Sequence, residues 1–391
     1  MTDRSYDIAL FGATGFAGGL TADYLAENLP EGARLAFVGR NRKKLEKVRD
    51  RIAGINPAME QVGLLEADST DPESLARVAA STKVVITTVG PYLEYGEPLV
   101  AACAKAGTDY VDLTGEPEFI DRMYLEHHEA AHSSGARIVH ACGFDSIPHD
   151  LGVMFTVKQL PEQVPLSIRG IVRTNGSLSG GTLHSALGQM SRLGDMSRTR
   201  KKRAEIEPRP VGRKVRTTMG KTHRDRVTDN WLIPLPTVDP DVVKHSAAAR
   251  ADYGPDFTYS HFAGAKKLRT VIASVIGFPL FVLAVQIPPL RGAIGKRVAR
   301  GDGPTQERRD RTWFTVDFIG TGGGETVHTR VTGGDPGYTE TAKMLAESAM
   351  SLAFDENPTT SGQVTSATAM GENLLDRLQT AGIDFTVMTD E

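Results

Sequence analysis

Cysteine is nearly absent: the 391 residues contain two, Cys103 and Cys142. So low a count excludes a disulfide framework or a Cys-rich zinc site and points to a reducing compartment. Charge of one sign is missing too. With a formal net charge of −3, no global field draws the chain to nucleic acid. Aromatic residues are few, and the basic stretch from Arg192 to Arg226 has none of the interleaved rings that stack on single-stranded bases. No repeat or low-complexity segment is present. The start, Met1-Thr2-Asp3-Arg4-Ser5, has no charged segment leading into a signal-type apolar run, so the expectation is a cytoplasmic chain without export. A hydrophobic content of 40% at this length provides for two domains with proper cores.

What is present begins at Ile8-Ala9-Leu10-Phe11-Gly12-Ala13-Thr14-Gly15-Phe16-Ala17-Gly18-Gly19. An apolar run breaks at Gly12, and Leu20, Tyr24 and Leu25 follow at helical spacing, which predicts a strand, a tight turn and a helix N-terminus facing a pyrophosphate. Gly12 serves the turn, Gly15 the approach of phosphates and Gly18 the packing of helix on strand. Thr14 adds a hydroxyl and Phe16 borders the cradle. The spacing is G-x-x-G-x-x-G.

Strand patterns recur at Leu35–Val38, Val62–Glu66, Val84–Val89, Tyr110–Leu113 and Arg137–Ala141, alternating with helical patterns up to residue 133. That alternation predicts a doubly wound parallel sheet, an α/β Rossmann domain over residues 1–148, with the site in the loops after the strands. The second strand ends in Val38-Gly39-Arg40-Asn41-Arg42, with no acid to hold a ribose 2′-hydroxyl; Arg40 and Arg42 instead suit a 2′-phosphate, and the expected cofactor is NADP(H). Asp68, after the third strand, is a neighbour for the adenine or a helix cap. Gly90 and Pro91 shape the loop after the fourth strand beside the nicotinamide ribose, and Tyr92 is read as an acid or donor there, or as a packing shelf. Asp112 and Glu116 are acid/base groups or loop braces. His128-Glu129-Ala130-Ala131-His132 matches the zincin pattern H-E-x-x-H. Its place on a helix between the fifth and sixth strands, away from the strand ends, makes an outward histidine pair the better reading, and no metal is expected.

The sixth strand delivers Cys142-Gly143-Phe144-Asp145-Ser146-Ile147-Pro148-His149-Asp150. Together with the glycine cradle, Val89-Gly90-Pro91-Tyr92 and Leu113-Thr114-Gly115-Glu116, this stretch resembles the saccharopine dehydrogenase-like oxidoreductases, and within them the trans-acting enoyl reductases that serve modular polyketide synthases in cell-envelope lipid assembly. Ser179-Gly180-Gly181-Thr182, Gly301-Asp302-Gly303-Pro304 and Gly334-Asp335-Pro336-Gly337-Tyr338 extend the resemblance over nearly the full length. It implies a Rossmann domain binding NADPH, a second α/β domain covering the nicotinamide, and hydride transfer between them.

Residues 149–391 have another texture. Strands are expected at Leu166–Arg173, Trp231–Leu235, Thr312–Ile319 and Thr326–Val331, forming a mixed or antiparallel sheet in an α+β substrate and dimerisation domain. The last helix, 366–382, is expected to pack back on the Rossmann half, with a short strand at Phe385 and Val387. The nest of Ser179, Gly180, Gly181 and Thr182 opens a helix and suits an anion or carbonyl oxygen, or is a capped loop. The basic run is a solvated loop or a dock for an acidic carrier protein or anionic lipid. Segment 271–290 is uncharged, with Lys266, Lys267 and Arg269 before it and Arg291 after. It is barely long enough to span a membrane and is broken by prolines. That leaves a buried or homodimer-forming element, or an apolar lobe at a membrane surface.

These features lead to an NADPH-dependent reductase of an α,β-unsaturated, lipid-like acyl thioester, peripheral at the inner face of the plasma membrane. Tyr92, Asp145 and His149 are the candidate catalytic groups and Ser146 a substrate contact. The alternatives are a saccharopine-type C–N oxidoreductase acting on an amino acid, whose carboxylate Arg169 or Arg173 would clamp, and a lipid-associated scaffold without turnover.

Overall fold

The computed structural model describes residues 4–176, 180–287, 289–290, 292 and 303–389; of residues 180–184 only the backbone course is described. The first half alternates β1 (Tyr6–Phe11), α1 (Phe16–Asn28), β2 (Leu35–Gly39), α2 (Arg42–Ala53), β3 (Gly63–Glu66), α3 (Pro72–Ser81), β4 (Thr82–Thr87), α4 (Tyr92–Tyr95), α5 (Glu97–Ala106), β5 (Asp109–Asp112), α6 (Pro117–Ser134) and β6 (Arg137–Val139). The strands are parallel in the order β3-β2-β1-β4-β5-β6. β1 sits in the middle with Ile8, Ala9 and Leu10 fully buried, so its run is continuously apolar instead of alternating. The order reverses between β1 and β4, where a doubly wound sheet binds its ligand.

The second half comprises α7 (Ile147–Val157), β7 (Leu166–Thr174), α8 (Gly180–Met190), α9 (Leu193–Ile206), β8 (Lys214–Thr218), β9 (His223–Arg224), β10 (Trp231–Pro234), α10 (Asp239–Ala249), β11 (Asp256–Ala265), α11 (Leu268–Gln286), α12 (Gln306–Asp310), β12 (Phe314–Gly322), β13 (Glu325–Gly333), α13 (Thr339–Phe354), β14 (Gly362–Val364), α14 (Ser366–Ala369), α15 (Gly371–Thr380) and β15 (Asp384–Val387). Its mixed sheet runs β15-β13-β12-β7-β11-β10-β9, with β8 also beside β11. β7 and β11 are parallel, whereas β12 and β13 form an antiparallel hairpin.

The chain then crosses back. β14 extends the Rossmann sheet as its seventh strand, parallel to β6, and α13 lies on α1, β4 and β5. The expected return of the helix near 366–382 is thus led by an earlier one; α15 packs on α13 and α7. α13 is buried on nearly all sides, and its buried Glu347 is satisfied by Tyr24 Oη at 2.6 Å and Arg377 at 3.1 Å.

The first part of the basic stretch forms a helix, α9, where a solvated loop was one expectation, and the rest runs through β8 and β9. Arg192 of the turn before α9 meets Glu118 with two bonds of 3.0 and 2.7 Å. Arg203, only 5% exposed, reaches Asp121 at 3.0 Å and lies 4.2 Å over the Tyr124 ring. These contacts clamp the second domain onto α6 of the first, leaving Lys201 and Lys202 exposed.

Candidate active site

The turn after β1 has the shape its glycines require. Gly12 adopts φ +100°, a left-handed conformation that other residues rarely take. Gly18 packs so closely that a Cβ would lie 2.1 Å from the Gly12 carbonyl oxygen, so α1 rests directly on the strand end. At Gly15, by contrast, a Cβ would meet nothing nearer than that oxygen at 3.4 Å, and Thr14 and Gly15 face outward. The cradle is therefore open where a pyrophosphate would lie and closed where the helix must dock. Phe16 is walled by the second domain: Tyr338 stands edge-on at 5.0 Å, Arg309 lies over the ring at 5.6 Å, and Gly303 touches it so closely that any side chain there would collide.

Arg40, 77% exposed, stands at the tip of β2 with its Nε 4.0 Å from Asp68. Asp68 accepts from Thr70 N at 2.9 Å and Thr70 Oγ1 at 2.8 Å, bonds that hold its carboxyl below the usual range. Arg42 pairs along its helix with Glu46 at 3.4 Å. Such surface pairs are weak. Both guanidinium groups can turn to a 2′-phosphate, and no carboxylate stands at the tip of β2 itself, so the donor set fits NADP(H).

The Tyr92 phenol is a brace. Its ring is 6% exposed, its hydroxyl donates to the Thr87 carbonyl at 3.1 Å and accepts from Leu113 N at 3.2 Å, and burial raises its pKa well above the ordinary value. A proton held there has no route to substrate, so the acid role is withdrawn; the hydroxyl instead ties the ends of β4 and β5 together around Gly90 and Pro91. Glu116 is a second brace. Its carboxylate accepts from Tyr92 N and Leu93 N at 3.2 and 2.9 Å, and from Ser185 of α8 at 2.7 Å, joining the loop after β4 to the second domain. Asp112 is fully buried and holds Tyr110, His140, Thr114 N and Ala141 N. It thereby fixes Ala141 at φ +60°, a strained conformation that aims the next turn.

That turn carries the cluster with chemical potential. Burial pushes the Asp145 carboxyl up to about 6; the negative charge of Asp239 adds to this and His149 offsets it in part. Among the described residues no hydrogen bond is made to that carboxylate, which lies against Gly115 at the end of β5. Behind it, His149 Nδ1 is 3.0 Å from Asp239 Oδ1, His261 Nε2 is 3.6 Å from Asp239 Oδ2, and Tyr259 Oη is 2.9 Å from His261 Nδ1. The two histidines and Asp239 are at most 3% exposed. Burial holds His261 down to about 3 and therefore neutral. Burial raises Asp239 in turn, but His149, first through its charge and then through its bond, wins and keeps it well below the carboxylate range. One ligand atom from each of His149, Asp239 and His261 lies within 4.8 Å of the others. The same set could hold a divalent ion or share a proton.

Ser146 does not reach a substrate: it is 1% exposed, and its hydroxyl donates to the Asp145 carbonyl. Asp150 instead anchors α14, accepting from Ser366 Oγ and Ala367 N. Ser179 lies outside the described residues, as does the side chain of Thr182; the backbone of Gly180, Gly181 and Thr182 begins α8. The zincin-like pair is occupied: His128 Nδ1 accepts from Gln363 N at 3.1 Å, and His132 Nδ1 bonds Ser361 Oγ at 2.9 Å. Its histidines secure β14. Asp239, Tyr259 and His261 escaped the sequence reading because they lie on α10 and on β11, a strand with no clear alternation, about a hundred residues from their partners.

Comparison with known proteins agrees with this layout. Residues 8–139 match the saccharopine dehydrogenase NADP binding domain. Over 98% of its length the chain is 36% identical to a putative trans-acting enoyl reductase of Mycobacterium tuberculosis, covering 97% of that protein. It is 29% identical to the saccharopine dehydrogenase-like oxidoreductase of Bos taurus, over 99% of this chain and 98% of the other. Saccharopine dehydrogenase (L-Glu forming) from Saccharomyces cerevisiae shares the fold with a TM-score of 0.56 at 11% identity, over 98% of this chain and 100% of its own. The chain belongs to the saccharopine dehydrogenase-like oxidoreductase family and carries that family's NADP-binding domain.

Proposed function

We propose that this oxidoreductase reduces the carbon–carbon double bond of an α,β-unsaturated acyl thioester, free or on a carrier protein. The observation that carries the proposal is Asp145: a carboxyl whose proton is retained to about pH 6 stands, without a hydrogen-bond partner among the described residues, against Gly115 just past the end of β5, on the side of the sheet where a doubly wound fold binds its ligand. The names of the relatives make this substrate class the one to test. NADPH, held by the cradle and by Arg40 and Arg42, supplies the hydride for the β-carbon. The chain must then stabilise the negative charge that develops on the thioester oxygen and return a proton to the α-carbon. The amides opening α8, which Ser185 and Glu116 bind to the cofactor loop, are assigned the first task. Asp145 is assigned the second, and His149, oriented by buried Asp239, is the positioning residue that stabilises the carboxylate left behind.

The amino-acid reading is less well served. Arg169 is engaged by Asp225 at 3.1 Å, and Arg173 lies over the Trp313 ring at 5.5 Å. Neither guanidinium waits for a substrate carboxylate. The test is oxidation of NADPH with enoyl thioesters of increasing chain length beside imines of amino acids. Turnover with the thioesters alone supports the proposal, and turnover confined to the imines overturns it.

A further inference from the structure

α11 is the most apolar helix among the described residues, yet only 11% of its apolar window is buried. After Arg269 it has no charged residue. Ile272, Ile276, Leu280 and Leu283 form an outward stripe, 53–63% exposed, with Val275 and Phe278 beside it at 49% and 45%. At about 100° per residue, the exposed positions from Phe278 round to Gly277 cover roughly two-thirds of the helix circumference. This reverses the arrangement of a soluble surface helix, whose outward face is polar. It puts a large contiguous apolar patch into water, a feature that marks a binding surface.

The attachment of the helix limits what can cover it. Its buried residues are Val271 near the start, beside β10 and β11, and Val285 near the end, where Gln286 Nε2 donates to the Met190 carbonyl of α8 at 2.6 Å. Both ends rest on the same domain, so the helix lies along its surface and cannot carry one end through a bilayer. A single partner helix would cover one face, whereas the exposed arc needs a continuous apolar medium. The flank supplies the polar half of such a contact: Lys267 and Arg269 at the helix start, and Lys221 and Arg226 around β9, next to β10, are exposed and make no ion pair among the described residues.

We infer that α11 is an in-plane docking element for an anionic lipid surface, its stripe sunk into the acyl boundary and its basic flank among the headgroups. α8 runs from α11 to Glu116 at the cofactor loop. If the thioester reading above holds, docking sets the path of an acyl chain from membrane to nicotinamide. The docking itself requires no catalysis.

Flotation of the full-length protein with phosphatidylcholine vesicles containing one-third phosphatidylglycerol tests it. The protein should float at low salt and far less at high salt or with phosphatidylcholine alone. Lys267→Gln with Arg269→Gln should lower partitioning about 30-fold, from about 1 kcal/mol for each basic residue at the surface. Ile276→Ser with Leu280→Ser and Leu283→Ser should abolish flotation while NADPH binding is kept, which shows that the variant folds. A parent that stays with the soluble fraction over anionic vesicles at low salt overturns the inference. So does a parent dimer that the triple variant converts to monomer, which would give the face to a second copy.

Discussion

Replacing Asp145 by Asn separates what this carboxyl does for chemistry from what it costs the fold. Its proton affinity is raised from the ordinary 3.8 to about 6, so the native state binds the proton more tightly than the unfolded chain does. The resulting stability is fully present below about pH 4 and is lost as pH rises through about 6. Above that, an ionised Asp145 costs about 3 kcal/mol if sealed from water, at about 1.4 kcal/mol per tenfold change in acidity, and roughly half as much given the partial access of this side chain to solvent. Asn, neutral throughout, avoids the cost. Asp145→Asn should therefore match the parent in urea unfolding below about pH 4 and exceed it by about 1–2 kcal/mol near pH 8. Turnover with an enoyl thioester should fall about 10²- to 10⁴-fold, with NADPH affinity unchanged, because a positioned proton donor is lost. In the parent, the rate should decline as pH rises above about 6. A variant with parental turnover would refute the assignment of Asp145 as acid, and equal stability of the two proteins near pH 8 would refute the raised affinity on which it rests.

Gly15→Asp should abolish dinucleotide binding, followed by NADPH fluorescence, because it sets a charge where the cradle is open. Arg40→Ala with Arg42→Ala should weaken NADPH about 10- to 100-fold and NADH little, since charge-assisted bonds to a 2′-phosphate contribute about 1.5–3 kcal/mol; equal loss for both cofactors would refute their role. Arg203→Ala strands Asp121 in the domain clamp and should cost about 3–5 kcal/mol in thermal or urea unfolding, whereas Arg203→Met combined with Asp121→Asn should recover most of it. Metal analysis should find no stoichiometric ion in the purified protein. One equivalent of zinc lost on His149→Ala would turn the buried histidine pair from a proton-holding cluster into a metal site, and zinc lost on His128→Ala with His132→Ala would revive the H-E-x-x-H motif.

The parallel sheet was legible because its information is local. Each of β1 to β6 is a short apolar run bounded by turn chemistry, and Asn41 and Asp71 cap the helices that follow β2 and β3 with side-chain bonds to Lys44 N and Glu73 N. The second domain gave up less. β8 alternates exposed with half-buried residues at an outer position, β9 has two residues, and β11 is buried along most of both faces. β8 keeps a period of two but without a buried apolar face, and β9 and β11 show no such period, so none carries the apolar alternation that reveals a strand. β14 was hidden for another reason: three residues after a turn-rich stretch carry no period, and what makes them a strand is the open edge of β6 and the grip of His128.

The site divides along the same line. The turn at Gly12, the close packing at Gly18 and the place of Arg40 at a strand tip could be expected in advance because each is written within a few dozen residues. Tyr92 could not be judged that way. A phenol after a strand looks the same in sequence whether its hydroxyl faces a substrate or closes on Thr87 and Leu113, and only the packing of β4 against β5 decides. Asp145 is the converse case. Its position was legible but its acidity was not, since that depends on Asp239 and on burial supplied by α10 and β11. A carboxyl becomes an acid at neutral pH through neighbours that keep water and opposite charge away. Here the domain joined to the loop after β4 by Glu116 and clamped by Arg203 supplies the buried neighbour, Asp239. Loss of that clamp should therefore lower Asp145's pKa toward the ordinary carboxylate range before it unfolds the chain, and a downward shift in the pH–rate profile of Arg203→Ala would be its signature.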